Sequence, residues 1–490
     1  MYLFSFLAVI NIFFVAIIIF FGRKNPASAW AWILVTISVP YFGFFLYLLI
    51  GLDSRRYRVF SAKSHDDNKS FQTLVEKDFP ALSFIKRQRG FLSERTLITL
   101  DGDERFNDVA FLNFSDGRGA FTDKNSVKIY NDGPAKFEAL LDDIKNARYF
   151  IHMLYYIIHD DELGRKIIAA LTEKARQNLD VRLLVDGMGC WNVRKSFFAE
   201  FLAAGGKLAV FMPPHFMRVN FRNHRKIAVI DGIYGYVGGL NIGDEYVGKT
   251  KRFGFWRDTH LRICGDAVKS LEIRFILDWD FCAPKNKTGF QEKYFPEYIN
   301  RCVSDDAQGV RIQIVSSGPD SKWNYIHYSF NKMINEAEKS VYIQTPYFSP
   351  DDSILESIRI AAISGADVRI VIPAKPDHPF VYWASLSYLG ELLEAGVKCY
   401  KYEKGFLHGK TIMVDGNVSS VGTANMDVRS FKLNFEVNAF IYDRSITKVL
   451  EEKFLKDLND CTQITIEQYT KRNAWVKTKE AVARLLSPLL

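Results

Sequence analysis

The sequence predicts an α/β protein made of two related sandwich lobes behind an N-terminal pair of transmembrane helices. Three observations carry this expectation. Two long apolar runs fill the first fifty residues. The body then passes twice through one order of strands and helices, and each pass ends in the same short His, Lys and Asp motif.

At 490 residues the chain is too long for one ordinary core. A hydrophobic content of 48% with 24% charged residues excludes a disordered chain. The net charge of +8 suits an anionic partner such as phospholipid, although composition alone admits nucleic acid equally well. Cys190, Cys264, Cys282, Cys302, Cys399 and Cys461 contain no C-x-x-C pair, which excludes zinc-ligand spacing and a short disulfide framework. Reduced, structural thiols are expected, as suits a domain facing the cytoplasm.

From Met1 to Phe21 only Ser5 and Asn11 interrupt the apolar sequence. At about 1.5 Å per residue this run is long enough to cross a hydrocarbon core of about 30 Å. It lacks the basic start and small-residue cleavage site of a secretory signal. A second apolar run, Ala31 to Ile50, contains Pro40 and Gly43, which transmembrane helices tolerate, with Trp30 and Trp32 at the interface. Arg55, Arg56, Arg58 and Lys63 follow the second run, against Arg23 and Lys24 in the loop. This bias places both termini in the cytoplasm. The hairpin takes residues 1–58, and 59–120 read as a connecting segment with some helix.

From there the chain repeats itself, over 121–300 and again over 301–465. Each copy opens with a strand and a Gly-Pro turn (Gly133-Pro134, Gly318-Pro319), then an amphipathic helix. A β-rich run follows, then a helix, then a buried-type strand, Asp180 to Gly187 or Asp367 to Ala374. A helix ending in Gly and one more strand lead to the motif. This alternation predicts a sandwich with a largely parallel or mixed sheet in each lobe, the two related by a pseudo-twofold axis. Equivalent loops then converge on a cleft. The tail, 466–490, reads as a basic amphipathic helix with Trp475, Val476, Val482, Leu485 and Leu486 on or near one face. It suits either an anionic lipid surface or docking on its own lobe.

The motif is H-x-K-x4-D: His224, Lys226 and Asp231 in the first copy, His408, Lys410 and Asp415 in the second. Asn241 and Asn425 each stand seventeen residues after their histidine. One copy is weak evidence, since nine histidines give roughly 0.03 chance matches; two in register exclude coincidence. Side chains alternate along a strand, so each histidine and its lysine point the same way.

Two histidines and two lysines in one cleft form a site for a phosphodiester. Lys226, Lys410, Asn241 and Asn425 supply positive charge and N–H donors for the phosphate oxygens. One imidazole attacks phosphorus, and the other protonates the leaving alkoxide and later deprotonates the acceptor. Neither a metal nor a cofactor is required, because cationic side chains do the neutralising. Asp258 follows the first motif and Glu436 the second, and they are the expected orienting acids for His224 and His408 in that order. Asp231 and Asp415 belong to the catalytic motif with His224, Lys226, His408 and Lys410, but they end the motif strands and precede Gly, so they read more as turn-forming or salt-bridged structural groups than as catalysts. His152, His159, His327 and His378 have no repeat partner and read as structural.

These motifs resemble the phospholipase D superfamily, whose hallmark is the paired H-x-K-x4-D. Over essentially its whole length the chain is similar to the bacterial cardiolipin synthases within it. The similarity includes NPASAWAWILV, VPYFGFFLYLLIG, FRNHRKIAVIDG, GYVGGLNIGDEY, TPYFSP from Thr345, and the terminal RLLSPLL. The resemblance implies two phospholipase D-like lobes and a transphosphatidylation. One phosphatidylglycerol phosphatidylates a histidine and glycerol leaves; the hydroxyl of a second then attacks, giving cardiolipin. It also implies His224 as nucleophile and His408 as acid and base.

A hydrolase giving the phosphatidyl group to water, or a synthase using another alcohol, has the same motifs and differs only in its acceptor pocket. A nuclease of the superfamily is disfavoured by the hairpin, so the expected partner is phosphatidylglycerol in a bacterial cell membrane and not nucleic acid. A non-catalytic scaffold is disfavoured by the intact His, Lys and Asn set. Homo-oligomerisation is left open.

Overall fold

The computed structural model describes residues 2–21, 26–47, 54–76, 79–85, 88, 104–114, 119–212, 220–297 and 309–486. Arg23, Lys24, Cys302 and the final SPLL lie outside the described residues.

The apolar N-terminus forms a helical hairpin. Helix α1 (Tyr2–Phe21) packs on α2 (Pro26–Ser38) and the short α3 (Phe42–Leu46), burying Ile18, Ile33, Phe44 and Tyr47. The second run is not one continuous helix. Pro40 has no N–H to donate and Tyr41 adopts φ 65°, so the chain breaks between α2 and α3. At Gly43 a Cβ would lie 2.5 Å from the Val35 carbonyl oxygen, so only glycine permits that close return. Among the residues whose side chains are described, which start at Val9 in α1, no helix is long and apolar enough to cross a membrane.

The next helix, α4 (Ser54–Glu76), starts inside the range expected for the hairpin and carries the basic cluster. Lys63 departs from the expected solvated juxtamembrane charge. It is buried, with its ammonium 2.7 Å from Asp67 and 2.8 Å from Asp320. Three carboxylates gathered by the fold, Asp67, Asp278 and Asp320, make that burial tolerable.

Lobe 1 contributes β1 (Phe121–Tyr130), β2 (Phe150–Tyr155), β3 (Asp180–Asp186), β4 (Lys207–Phe211), β5 (Ile227–Ile230), β6 (Tyr234–Gly238) and β7 (His260–Gly265). Lobe 2 repeats them as β8 (Val310–Ser317), β9 (Ser340–Gln344), β10 (Asp367–Pro373), β11 (Lys398–Tyr402), β12 (Thr411–Val414), β13 (Val418–Gly422) and β14 (Asn434–Ile441). From one edge the order is β11-β10-β9-β12-β13-β14-β8-β1-β7-β6-β5-β2-β3-β4, with Cys461–Ile464 added beyond β11. The order reads the same from either end of the two lobes, which is the signature of the pseudo-twofold. The lobes join edge to edge through the antiparallel β1–β8 pair. The sheet is mixed, with β2-β3-β4 and β9-β10-β11 parallel.

The period of two along β5 explains the sandwich. Ile227 and Val229 pack toward helix α7 (Ala267–Cys282), in a core that includes Leu271 and Phe275. Ala228 and Ile230 pack on the other face, toward α5 (Gly133–Asn146) and α6 (Glu162–Arg176), with Leu140, Ile144, Ile167 and Leu171. Asp132 caps α5 by accepting from the Ala135 amide at 2.9 Å, with Pro134 in the first turn, as the Gly-Pro signal implies.

Lobe 2 has the same arrangement. Ile412 and Val414 face α8 (Tyr325–Asn335) and α9 (Asp352–Ile363), while Met413 joins the core of α11 (Arg444–Asp457). The helix ending in Gly396 is α10 (Pro379–Glu394). The tail helix α12 (Ala474–Leu486) docks on α10, with Arg484 2.7 Å from Glu391. Cys190, Cys282, Cys399 and Cys461 are free thiols, but Cys264 is disulfide-bonded, a departure from the expectation of reduced thiols. Cysteine spacing carries no signal for a bond between sequence-distant residues.

Candidate active site

His224 and His408 sit in short irregular segments just before β5 and β12. Each segment is held by the opposite lobe. Arg222–Asn223 pairs in parallel with Asn434 and Phe435, and the His224 amide donates to the Phe435 carbonyl at 3.0 Å. Gly405–Leu407 pairs in parallel with Phe255–Arg257, and the His408 amide donates to the Arg257 carbonyl at 2.7 Å. The residue that follows each supporting strand segment is the carboxylate.

The carboxylates therefore cross between lobes. His224 Nδ1 lies 3.0 Å from both Glu436 oxygens, and His408 Nδ1 lies 2.7 Å from Asp258 Oδ2. The expected assignment, Asp258 to His224 and Glu436 to His408, is corrected: each acid serves the other lobe's histidine. The parallel pairing across the interface is the reason, since it sets each acid against the opposite imidazole. Both acids are fully buried. Burial works against their charge, but His408 beside Asp258 and His224 beside Glu436 outweigh it and hold both carboxyls below the usual range.

Each lysine folds back on its histidine. Lys226 Nζ donates to the His224 carbonyl at 2.6 Å, and Lys410 Nζ donates to the His408 carbonyl at 2.8 Å. Lys410 Nζ also lies 3.0 Å from His408 Nε2. Burial is the main force on all four groups. It lowers His224 to about 4, helped by the charges of Lys226 and Lys410 and opposed by Glu436. His408 is lowered too, by burial and then Lys410. Lys410 falls to about 8, and Lys226 well below the ordinary lysine range. All four groups are thus held short of their charged forms, which a phosphodiester's negative charge would favour.

Both histidines, Asn241 and Asn425 line one cavity of about 650 Å³ between the lobes. Asn241 accepts from the Ile157 amide at 3.2 Å and donates to the Tyr246 hydroxyl at 3.2 Å. Asn425 Oδ1 is buried with no hydrogen-bond partner among the described residues.

Asp231 and Asp415 stand apart from this cluster, at the far ends of β5 and β12. Asp231 takes φ 53° and accepts from the amides of Arg148, Tyr149 and Phe150. Asp415 takes φ 55° and accepts from the amides of Glu338, Lys339 and Ser340, with Arg105 2.9 Å away. Five extended residues put each about 16 Å along the chain from its lysine. Each carboxylate is committed to backbone amides and neither lines the cavity, so these two members of the expected catalytic set stand away from both imidazoles.

His152 is buried against Glu272 and His327 against Asp351, both structural as expected. His378 differs: with Arg222, Arg252 and Arg429 it lines the cavity, which sequence reading missed. Arg222 stands two residues before His224, so its basic neighbourhood was the available signal. Also missed was Asp186, which accepts from the Asn223 amide at 2.7 Å next to His224 and is raised by burial to about 6. Asp427, four positions before Phe431, is raised by burial to about 6 as well. Among the described residues no cluster of three or more His, Cys, Asp or Glu side chains forms a metal site.

The family profile described as "Cardiolipin synthase, PLD-like domain" matches residues 140–252 and 330–458, one segment per lobe, each with one motif. A second profile, "Phospholipase_D-nuclease N-terminal", matches residues 9–51. The cardiolipin synthase of Staphylococcus aureus (strain Mu50 / ATCC 700699) is 46% identical over 489 residues, covering 98% of this chain and 95% of that protein. The chain belongs to the cardiolipin synthase family. The cardiolipin synthase of Listeria monocytogenes serotype 4a (strain HCC23) is 44% identical over 493 residues, covering 100% of this chain and 99% of that one. Among solved structures, phosphatidylserine synthase from Haemophilus influenzae Rd KW20 superposes with a TM-score of 0.60 at 15% identity. It covers 76% of this chain and 97% of that one, and at that identity it speaks for the fold alone. The two matched segments and this superposition agree on a two-lobed, phospholipase D-like α/β fold for residues outside the N-terminal hairpin.

Proposed function

We propose that this chain transfers a phosphatidyl group from one phosphatidylglycerol to another, releasing glycerol and forming cardiolipin. The crossed hydrogen bonds from Glu436 and Asp258 are the observation that carries the proposal. They engage Nδ1 of each imidazole, which turns each Nε2 to the chemistry of a shared cavity, with Lys410 beside that of His408.

With Nδ1–H donating to Glu436, His224 keeps a lone pair on Nε2, which attacks phosphorus. The phosphorus–oxygen bond to glycerol breaks, and His408 Nε2–H gives its proton to the departing oxygen. Glycerol leaves a phosphatidyl-histidine. The terminal hydroxyl of a second phosphatidylglycerol then attacks, His408 Nε2 takes its proton, and the phosphorus–nitrogen bond breaks to restore His224. Lys226, Lys410 and the amides of Asn241 and Asn425 stabilise the charge that builds on the phosphate oxygens. The bound phosphodiester raises the lowered lysines and His408 toward their charged forms, so substrate binding itself arms the acid.

The membrane supplies the substrate. Val9, Ile12, Phe13, Phe20, Leu34 and Phe42 on the hairpin are all more than half exposed, an apolar surface suited to lipid. The hairpin anchors the chain by two passes, with the lobes in the cytoplasm. Helix α12 adds a second contact. Lys479 stacks over Trp383 and Arg484 over Tyr388, the same sequence offset twice, so α12 runs parallel to α10. That register sets exposed Trp475 level with Pro379 and Phe380 at the cavity wall. Trp475, Val482 and Leu485 face outward with Lys477, which suits an anionic bilayer at the mouth of the site.

Purified full-length protein in micelles, with phosphatidylglycerol as sole lipid and a chelator present, tests the reading. Cardiolipin with glycerol is expected. Phosphatidic acid alone would make the chain a hydrolase, and no turnover would overturn the donor assignment.

A further inference from the structure

Helix α4 leads directly from the membrane hairpin into the floor of one half of the site. Phe60 packs edge-on against Phe221 at 5.1 Å and Phe435 at 5.2 Å; Phe221 precedes the Arg222–Asn223 segment that leads to His224, and Phe435 belongs to its partner segment, just before Glu436. One turn on, Lys63 enters a buried charge cluster. Its ammonium lies 2.7 Å from Asp67, 2.8 Å from Asp320 and 3.3 Å from Asp278. Arg274 bonds Asp67 at 3.0 Å and Asp278 at 2.7 Å.

The last cation is Arg225, which stands between His224 and Lys226 in the motif. Its guanidinium bonds Asp278 at 2.6 Å, the Glu436 carbonyl at 3.1 Å and the Ser317 carbonyl at 3.3 Å. Three cations thus face three carboxylates, all six side chains at least nine-tenths buried. The cluster is electrically balanced only with Lys63 in place. In the other half-site Gly409 takes the position of Arg225, and the guanidinium bonded to the acid's carbonyl comes instead from Arg257, which pairs with Asp457 and not with the Lys63 cluster.

We infer that Lys63 is a positioning residue for the reaction: through Asp278, Asp320 and Arg225 it fixes the His224–Glu436 pair, and so couples the membrane-proximal helix to the phosphatidyl-histidine step. The inference rests on the proposed transphosphatidylation. Removing Lys63 leaves two buried cations against three carboxylates. Asp278 then has surplus charge to relieve, and Arg225, its nearest movable partner, is bonded to the backbone of Glu436. A shift there moves the acid that orients His224, while His408, Asp258 and the cavity walls are untouched. Arg225 is held from both sides, and a misplacement of about 1 Å at a reacting group costs on the order of 100-fold in rate.

The test is Lys63→Met, alone and combined with Asp320→Asn, in the full-length protein with phosphatidylglycerol micelles. The wild-type protein must first give cardiolipin; if it does not, the proposed function fails before this inference is reached. Lys63→Met is expected to lower kcat and the single-turnover rate of lipid-linked enzyme by roughly 10-fold or more, with KM within about 2-fold. The double variant removes one charge of each sign, and its kcat is expected to return to within about 3-fold of wild type. A stability role alone would not produce that split between kcat and KM, nor recovery by deleting a second charge. Unchanged kcat in Lys63→Met overturns the inference, as does a double variant that folds yet stays as slow as the single. Where Lys63→Met fails to fold, the balanced double variant carries the test by the same criterion. Failure of both to fold also overturns it, since the cluster would then serve stability only.

Discussion

His224 Nδ1 lies 3.0 Å from both carboxylate oxygens of Glu436, a residue of the other lobe. His408 is bound reciprocally by Asp258. Neither lobe therefore contains a complete histidine–carboxylate pair, and the proposed active site forms only where the two meet. Glu436→Gln keeps the shape but removes the charge that favours a proton on His224 Nδ1. The rate of lipid-linked enzyme formation should fall about 100-fold or more, as expected when an orienting carboxylate is lost. A double-mutant cycle reads the crossing directly. Glu436→Gln should add little to the defect of His224→Ala, whereas Asp258→Asn should add little to that of His408→Ala. Coupling of His224 to Asp258 instead would contradict the crossed arrangement.

The pH profile should be displaced below that of a free imidazole. Burial lowers His224 from 6.5 to about 4, so the nucleophile stays neutral down to that pH. Lys410 is lowered to about 8, so its charge is lost as pH rises through that value. In kcat/KM, which reports the free enzyme, the acid limb should appear near pH 4 from His224, and the alkaline limb where the lowered His408 loses the proton it must donate, below the ordinary imidazole range. The stability term has a definite sign. Between pH 4 and 6.5 the unfolded chain binds a proton at His224 that the folded chain does not, so this contribution is lost as pH falls through that window. An acid limb at pH 6.5 would show that His224 is not desolvated in the working enzyme.

Asp231 separates motif membership from chemistry. Its carboxylate ties three successive amides of lobe 1 while its own backbone sits at φ 53°. Asp231→Ala loses all three bonds in a conformation that suits Asp, Asn or Gly better than Ala. A loss of about 3 kcal/mol in unfolding free energy is expected. The folded fraction should keep kcat within about 3-fold of wild type, since no reacting group depends on this side chain. A stable but inactive Asp231→Ala protein would place the aspartate back in the mechanism.

The alternation of strands and helices, its repetition and the paired motif were legible because each is written locally. Alternation along KIAVID and KTIMVD marks the strands, and doubling excludes coincidence for His224 and His408. Partnership across the interface was not legible, because nothing local to Asp258 says which lobe's histidine will face it. Lys63 reads as one more juxtamembrane cation until the fold gathers Asp67, Asp278 and Asp320 around it. His378 has no repeat partner, yet the start of α10 carries it to the cavity wall. The break at Tyr41 was hidden for a different reason: Pro40 is compatible with both a kinked span and an interrupted one.

Trp475 tests how the site meets its lipid. It is exposed on α12, level with the first turn of α10 at the cavity wall. In vesicles of phosphatidylglycerol carrying brominated acyl chains, its fluorescence should be quenched, read as the difference between wild type and Trp475→Phe. Trp475→Ala should reduce turnover on vesicles several-fold, while turnover of a short-chain, water-soluble phosphatidylglycerol stays unchanged. Equal quenching in wild type and Trp475→Phe would place this helix away from the bilayer.

Gly239 provides the most local test of the Asp258 half-site. A Cβ on Gly239 would lie 2.1 Å from Asp258 Oδ1 and 2.8 Å from its Cγ, so the carboxylate must move to admit even one methyl group. Asp258 has little room to yield, because Oδ1 accepts from the Thr259 amide at 2.7 Å while Oδ2 holds His408 at 2.7 Å. Gly239→Ala should therefore lower kcat on the order of 100-fold by turning His408, although alanine touches neither imidazole nor cavity. His408 serves as acid in the first half-reaction and as base in the second, so both the single-turnover burst and steady-state formation of cardiolipin should slow. Glu436→Gln differs in acting through His224, whose attack is confined to the first half-reaction. A Gly239→Ala protein with wild-type kcat would mean that His408 needs no fixed carboxylate, and the two halves of the site would then differ in more than the identity of the acid.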